Sequence, residues 1–312
     1  MDKASRRAFL AGAASGAVFS IVPRSVLGGQ GNTPPSEKLN IAGIGIGGMG
    51  KHNLGNLHTE NIVALCDVDH GYVAPVFLKY PGAKRYKDYR RMLDTQKDID
   101  AVVIATPDHT HAVIAMAAIG AGKHVYCQKP LTHDIYEARA LALAAAQSPV
   151  ATQMGIQGHS GQGMRLLCEW IWDGAIGEVR EVDAWCSDTY YPWGHAGWSP
   201  QWGPSGAKDA PPVPETLDWD LWIGPAPMRP YHPAYHPVRW RCWWDFGSGW
   251  MCDRGVHTID PIVWALNLDA PTSVEATTMG QTEQTHSLAA VVTFRFLHGE
   301  TREGACRFRR NG

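Results

Sequence analysis

The segment Gly45-Ile46-Gly47-Gly48-Met49-Gly50 follows an apolar run, Leu39 to Ile46, and precedes a helical pattern, Met49 to His58. Few short sequences constrain a fold more. A Gly-x-Gly-x-x-Gly placed between a strand and a helix marks the first turn of a dinucleotide-binding α/β unit. Gly45 permits the tight turn, Gly47 lets backbone approach a pyrophosphate, and Gly50 lets helix and strand pack closely. The helix N-terminus then faces the phosphates, with Ile46, Gly48 and Met49 completing the cofactor loop. Asp67 ends the next apolar run, 22 residues beyond Gly45. A carboxylate there accepts the adenosine ribose hydroxyls and repels a 2′-phosphate, so NAD is expected rather than NADP.

The pattern continues in the same style. Apolar runs at Ile62 to Cys66, Ala101 to Ala105, Lys123 to Cys127 and Val150 to Met154 alternate with helical patterns at Tyr72 to Tyr80, Tyr89 to Thr95, His111 to Gly120 and Ile135 to Gln147. Short continuous apolar strands alternating with helices mean a doubly wound parallel sheet, here a Rossmann domain over residues 39–155. Beyond it the texture changes. A helix from Gly163 to Asp173 and a strand from Glu178 to Ser187 precede a Trp-, Pro-, His- and Gly-rich loop region, Tyr190 to Asp245. A helix from about Gly249 to Leu266 follows, then alternating runs at Ser273 to Met279, Leu288 to Leu297 and Thr301 to Phe308. Residues 156–312 are therefore expected to form an α+β domain with an open, mostly antiparallel sheet. A loop region this long inside a domain is usually functional.

Composition narrows the partners. At 312 residues, 45% hydrophobic, the chain buries a sizeable core, and a formal charge of −2 without a basic run beyond the first seven residues disfavours nucleic acid and anionic membranes. Ser5-Arg6-Arg7-Ala8-Phe9-Leu10 is a twin-arginine motif, and Ala8 to Val22 is too short and soft for a membrane span. Residues 1–30 are expected to be a signal read by the twin-arginine export machinery, 31–38 a linker, and the product periplasmic. That route carries folded cargo, as an enzyme that captures its cofactor before export requires. The seven cysteines are odd in number and lack paired spacing, and Cys66 and Cys127 read as buried hydrophobes.

Three further clusters carry chemistry. Thr106-Pro107-Asp108-His109-Thr110-His111 follows a strand at the sheet edge where doubly wound folds bind ligands; Thr106, Pro107, His109 and His111 are expected to meet the cofactor, with Asp108 or Thr110 capping the next helix. Cys127-Gln128-Lys129-Pro130 ends the neighbouring strand on the same edge, directing Lys129 and Gln128 toward the nicotinamide end. In Asp253-Arg254-Gly255-Val256-His257-Thr258-Ile259-Asp260, Asp253 and His257 are four apart and share a helix face, with Asp260 three beyond. A histidine beside a carboxylate suits proton removal from an alcohol. His232 and His236, set among prolines, read as loop structure rather than a zinc site. No metal centre is expected.

These motifs, in this order and spacing, resemble the Gfo/Idh/MocA family of sugar and polyol oxidoreductases. GIGIGGMG, CDVD, YPGAKRYKDYRRMLD, TPDHTH, CQKPLTH in place of the common Glu-Lys-Pro, and DRGVHTID carry the likeness, which runs from about Leu39 to Glu275. The resemblance implies His257 as acid/base, Lys129 as the residue that orients substrate and nicotinamide, and Asp253 as the partner of a substrate hydroxyl or of the histidine. His159, Trp240, Trp244 and Asp260 are expected at the substrate, with His159 or His195 the next candidates for the base. The Gln in CQKP looks typical of an exported subgroup. The basic ending CRFRRNG is unlike the family's closing strands, which implies a sheet cut short. Family members are often oligomers through an exposed sheet face.

Of thirteen tryptophans, eleven lie between Trp185 and Trp264; Trp193, Trp198, Trp202, Trp240, Trp243 and Trp244 are expected to give apolar faces for sugar rings, with some of them in the core. The leading expectation is hydride transfer on a carbohydrate or polyol with tightly held NAD. Two others stand beside it: an NAD-dependent glycoside hydrolase that oxidises its sugar transiently, and a non-catalytic sugar-binding protein.

Overall fold

The computed structural model describes residues 34, 37–186, 209–287, 289–298 and 302–308. The twin-arginine leader, His195, Trp193, Trp198 and Trp202 lie outside the described residues.

Six parallel strands form the first sheet: β1 (Asn40–Ile44), β2 (Asn61–Cys66), β3 (Lys84–Tyr86), β4 (Ala101–Ile104), β5 (His124–Gln128) and β6 (Thr152–Gly155). Their order is β3-β2-β1-β4-β5-β6. β1 and β4 are the most buried, as their unbroken apolar sequences AGI and VVI require for strands covered on both faces. One face is packed by α1 (Gly48–Asn56) and α2 (Ala74–Lys79) through Leu54, Val76 and Phe77. The other is packed by α3 (Tyr89–Thr95), α4 (Asp108–Gly120) and α5 (Ile135–Ala146) through Met92, Ile114, Ala118 and Leu141. Apart from Ala118, each such side chain contributes about 1.5–3 kcal/mol by leaving water. Helix starts are set locally: Asp88 caps α3, and Asp134 with Glu137 forms a reciprocal capping box on α5. The strand order reverses between β1 and β4, so the crevice outside their carboxyl ends is where a ligand is held.

The second domain contains α6 (Gln162–Trp172), β7 (Glu181–Ala184), α7 (Trp219–Ile223), a 3₁₀ turn at Arg239–Cys242, a π-helical turn at Met251–Gly255 that runs into α8 (Val256–Leu266), and strands β8 (Ser273–Met279), β9 (Ala289–His298) and β10 (Arg302–Phe308). The sheet order is β7-β10-β9-β8, with β9 antiparallel to both neighbours and β10 parallel to β7. The region expected to be loop from Tyr190 to Asp245 is, where described, a second core. Trp219, Trp222, Tyr235, Trp240, Trp243 and Phe246 pack together. Trp219 and Trp222 stack with centroids 4.7 Å apart. Trp243, expected as a sugar face, is 1% exposed and donates its indole N–H to Ala234 O. Aromatic packing, rather than carbohydrate contact, accounts for Trp243.

The two domains share a polar seam. The Asp69 carboxylate accepts the backbone N–H groups of Gly71 and Tyr72, the Thr216 hydroxyl at 2.7 Å and the His236 Nε2–H at 3.0 Å. Asp218 N–H donates to Val68 O, and His70 N–H to Thr216 O. The CDVD loop is thereby held from both sides.

Candidate active site

A cleft of about 630 Å³ opens at the carboxyl ends of β1, β2, β4 and β5 and is closed on its other side by the second domain. At one end lies the glycine turn. Gly45 has φ +73°, and a Cβ there would meet Thr106 at 2.7 Å; a Cβ at Gly50 would stand 1.9 Å from Gly45 O. Gly45, Gly47, Gly48 and Met49 line the cleft, whereas Ile46 and Gly50 do not: the Ile46 side chain is buried in the core, and Gly50 faces the turn. Ile46 N–H instead donates to Asp67 Oδ2 at 2.9 Å, and Asp69 N–H donates to Asp67 Oδ1 at 3.0 Å. Burial pushes the Asp67 carboxyl up to about 6, although these N–H groups pull the other way. It remains largely ionised at neutral pH.

Thr106, Pro107, His111, Gln128 and Lys129 line the middle of the cleft. His109 does not. Its ring turns into the second domain, with Nε2 3.2 Å from Trp222 O and Ile223 O and Nδ1 3.3 Å from Phe246 O, and burial pushes it down to about 4. His109 is a neutral tie between the domains, in place of the cofactor contact expected of it. The expected caps of α4 also act elsewhere. Asp108 Oδ2 accepts from Ser248 N–H, and the Thr110 hydroxyl bonds back to Thr106 and Pro107.

At the far end, Lys129 Nζ donates to Asp253 Oδ1 and to Asp253 O, each at 2.6 Å. Arg241 Nε lies 3.6 Å from the same Oδ1, and its guanidinium sits over the Trp240 ring, 4.3 Å from the centroid. Burial raises the Asp253 carboxyl, but Lys129 and Arg241 outweigh it and hold it below the usual range. Burial and the Lys129 charge lower His257, which is therefore neutral and able to accept a proton at pH 7. Asp253, His257 and Trp240 all line the cleft. Asp253 belongs to the π turn and His257 to α8, so the shared face inferred from α-helical spacing is reached through a wider turn.

The other expected substrate residues fall outside the cleft. His159 Nδ1 bonds both carboxylate oxygens of Asp260 at 3.0 Å and stacks on Trp264, joining the loop after β6 to α8. Trp244 is exposed, donates to Thr282 O and packs on His286. Conversely, Tyr72, Trp222 and Arg241 line the cleft without having been picked out, and so does His236, which had been read only as loop structure. No group of three metal-ligating side chains gathers among the described residues.

Comparison with known proteins follows the same division. The family model described as an oxidoreductase family, NAD-binding Rossmann fold, matches residues 39–156, and the one described as an oxidoreductase family, C-terminal alpha/beta domain, matches residues 191–307. The chain belongs to the Gfo/Idh/MocA family. Levoglucosan dehydrogenase of Pseudarthrobacter phenanthrenivorans is 30% identical over 156 residues, covering 46% of this chain and 39% of that protein. Inositol 2-dehydrogenase of Salmonella typhimurium is 30% identical over 145 residues, covering 45% and 43%. The matched region thus spans about two fifths of the length of these relatives. Among solved structures, WlbA dehydrogenase of Bordetella pertussis, in complex with NADH and UDP-GlcNAcA, superposes with a TM-score of 0.62 at 20% identity over 87% of this chain and 71% of that one. Levoglucosan dehydrogenase in complex with NADH and levoglucosan gives 0.60 at 21% over 88% and 67%. These two likenesses are of fold.

The Gfo/Idh/MocA cleft of this chain fits a nicotinamide dinucleotide. The turn at Gly45–Gly50 admits no Cβ at its close approaches, and Asp67 presents a carboxylate at the end of β2. The Gln128 amide, 6% exposed, has an Nε2–H₂ with no hydrogen-bond partner among the described residues. A buried donor of that kind at a cleft wall calls for a ligand acceptor.

Proposed function

We propose that this chain holds NAD and oxidises a hydroxyl of a sugar or polyol, or reduces the corresponding carbonyl. The observation that carries this is the joining, in one cleft, of the Gly45–Asp67 end to the Lys129–Asp253–His257 end. NAD, when bound, supplies the hydride acceptor. The chain's own groups do the rest. His257 takes the hydroxyl proton, its lowered basicity keeping it neutral beforehand. Lys129 directs its ammonium to the same oxygen and offsets the negative charge that develops there. Asp253 fixes that ammonium through two short bonds. Asp67 accepts the adenosine ribose hydroxyls and disfavours a 2′-phosphate.

The test is product analysis with the full chain. A keto-sugar or lactone formed with reduction of NAD supports the proposal; a released aglycone without net redox change indicates hydrolysis instead. Purified protein that neither carries nor binds nicotinamide indicates a binding protein. In the supporting case, His257→Ala is expected to lose on the order of 10²-fold in turnover while retaining NAD.

Export belongs to the same proposal. Arg6 and Arg7 within SRRAFL direct the folded, cofactor-loaded chain to the twin-arginine machinery and the periplasm. Replacing both by lysine should leave active protein in the cytoplasm; normal export of that variant overturns the assignment. All seven residues of β8 are exposed, which supports self-association through that sheet. Light scattering at two concentrations tests this.

A further inference from the structure

The two histidines of the TPDHTH loop differ in a way that assigns a role to one of them. His111 is 1% exposed, and its ring lies between two backbone carbonyls, Nδ1 2.6 Å from Pro130 O and Nε2 2.8 Å from Thr106 O. A carbonyl oxygen only accepts, so contacts as short as these need a hydrogen on each ring nitrogen, and an imidazole with two N–H groups is a cation. The distances are those of charge-assisted bonds. His109 makes a useful contrast. Its carbonyl contacts are 3.2–3.3 Å, and one of them, Phe246 O, already accepts the backbone N–H of His109.

The surroundings agree with the charge. Asp108 presents its carboxylate from the first turn of α4, and the Cys127 sulfur approaches from β5; Asp108 in turn faces Lys129, Arg241 and Asp253. Burial opposes the charge, but Cys127, Asp108 and Pro130 O together raise His111 to about 9.

The two acceptors explain what the cation is for. The last paired residues of the β4–β5 ladder are Ile104 and Cys127. Beyond them one strand runs into Thr106–Pro107 and the other into Gln128–Lys129, all of which line the middle of the cleft. His111 bridges the two where the ladder stops. We propose that His111 is a positioning residue, a buried imidazolium that joins the ends of β4 and β5 and so fixes Lys129 relative to the Thr106–Pro107 loop.

This rests on the cleft being the NAD and substrate site, and its test is arranged to separate the two. In ¹⁵N-histidine-labelled full chain, the His111 ring, assigned in the parent through its contacts with Pro130 and Thr106, is expected to be doubly protonated up to about pH 8. Glutamine is neutral and reaches one carbonyl. His111→Gln should leave ADP-ribose affinity unchanged, weaken NAD relative to ADP-ribose, and lower kcat about tenfold or more with a smaller effect on KM, as displaced catalytic groups do. A neutral His111 ring at pH 7 overturns the proposal, as does a folded His111→Gln protein with the parent's NAD to ADP-ribose ratio and kcat. If that variant does not fold, the protonation state in the parent decides alone. Should the parent oxidise no sugar while its ring is a cation and the nucleotide ratio shifts in the variant, the sugar assignment fails and the role of His111 stands.

Discussion

Replacing Gly50 by alanine puts a methyl group 1.9 Å from Gly45 O and 3.0 Å from Gly45 C. Both are backbone atoms of the turn that Gly50 packs against, so no side chain can swing aside. Normal carbon-to-oxygen contact is about 3.4 Å, and α1 must therefore retreat by roughly 1.5 Å. Overpacking of this kind costs about 1–3 kcal/mol of stability. The larger effect falls on the cofactor. The first N–H groups of α1 face the phosphates, and a retreat of that size breaks a hydrogen bond to an anion worth about 1.5–3 kcal/mol. NAD should bind roughly ten- to hundredfold more weakly. Gly163, at the start of α6, has open space for 4 Å around the position a Cβ would take, so Gly163→Ala serves as a control that keeps NAD affinity and slightly raises stability. Calorimetric titration with NAD and thermal unfolding of both variants check this. Undiminished NAD affinity in folded Gly50→Ala protein would refute the reasoning, because it would mean that the helix need not sit where the glycine places it.

Asp67→Ala should weaken NAD and narrow the gap between NAD and NADP, measured as the ratio of their dissociation constants, since both the ribose acceptor and the repulsion go. Lys129→Ala should lower turnover and raise KM together, and it should move the acid limb of the pH–rate profile upward, because the Asp253 carboxyl loses the nearer of the cations that hold it down. Stability should depend on pH through two buried histidines. His111, raised to about 9, contributes fully below its unfolded value near 6.5 and loses that contribution as pH rises toward 9, by up to roughly 3 kcal/mol. His109, lowered to about 4, contributes above 6.5 and loses a similar amount, roughly 3 kcal/mol, as pH falls toward 4. Urea unfolding across this range measures both limbs; a stability that does not fall between pH 6.5 and 9 removes the His111 charge.

The first domain was legible because its signals are local. A glycine turn between an apolar strand and a helix, with an acid at the end of the next strand, can be read in a few dozen residues, and Gly45, Asp67, Lys129, Asp253 and His257 do meet in one cleft. β3 escaped because Lys84-Arg85-Tyr86 is a short, polar edge strand without an apolar pattern. α7 and the aromatic core around Trp222 escaped because tryptophan marks both sugar faces and cores, and only the fold separates them. His109 was misplaced for a related reason: the segment was read as a loop, whereas His109 and His111 both lie in the first turn of α4, two residues apart and so on different faces of the helix. The Asp69–His236 contact joins positions 167 residues apart, and no spacing rule reaches that far.

The π turn at Met251–Gly255 gives the catalytic end an unusual freedom. A π turn is an α-helix with one extra residue taken in, much as a crystal row ends at a dislocation: everything on either side keeps its own lattice, and only the phase between them slips. His257 is registered with α8 and the sheet it packs on, whereas Asp253 is registered with the chain arriving from the aromatic core. The carboxylate that binds Lys129 and the His257 imidazole therefore sit on opposite sides of a slip plane. A change in the length of the turn is expected to re-aim the Asp253 carboxylate while the packing of α8, and with it His257, is kept.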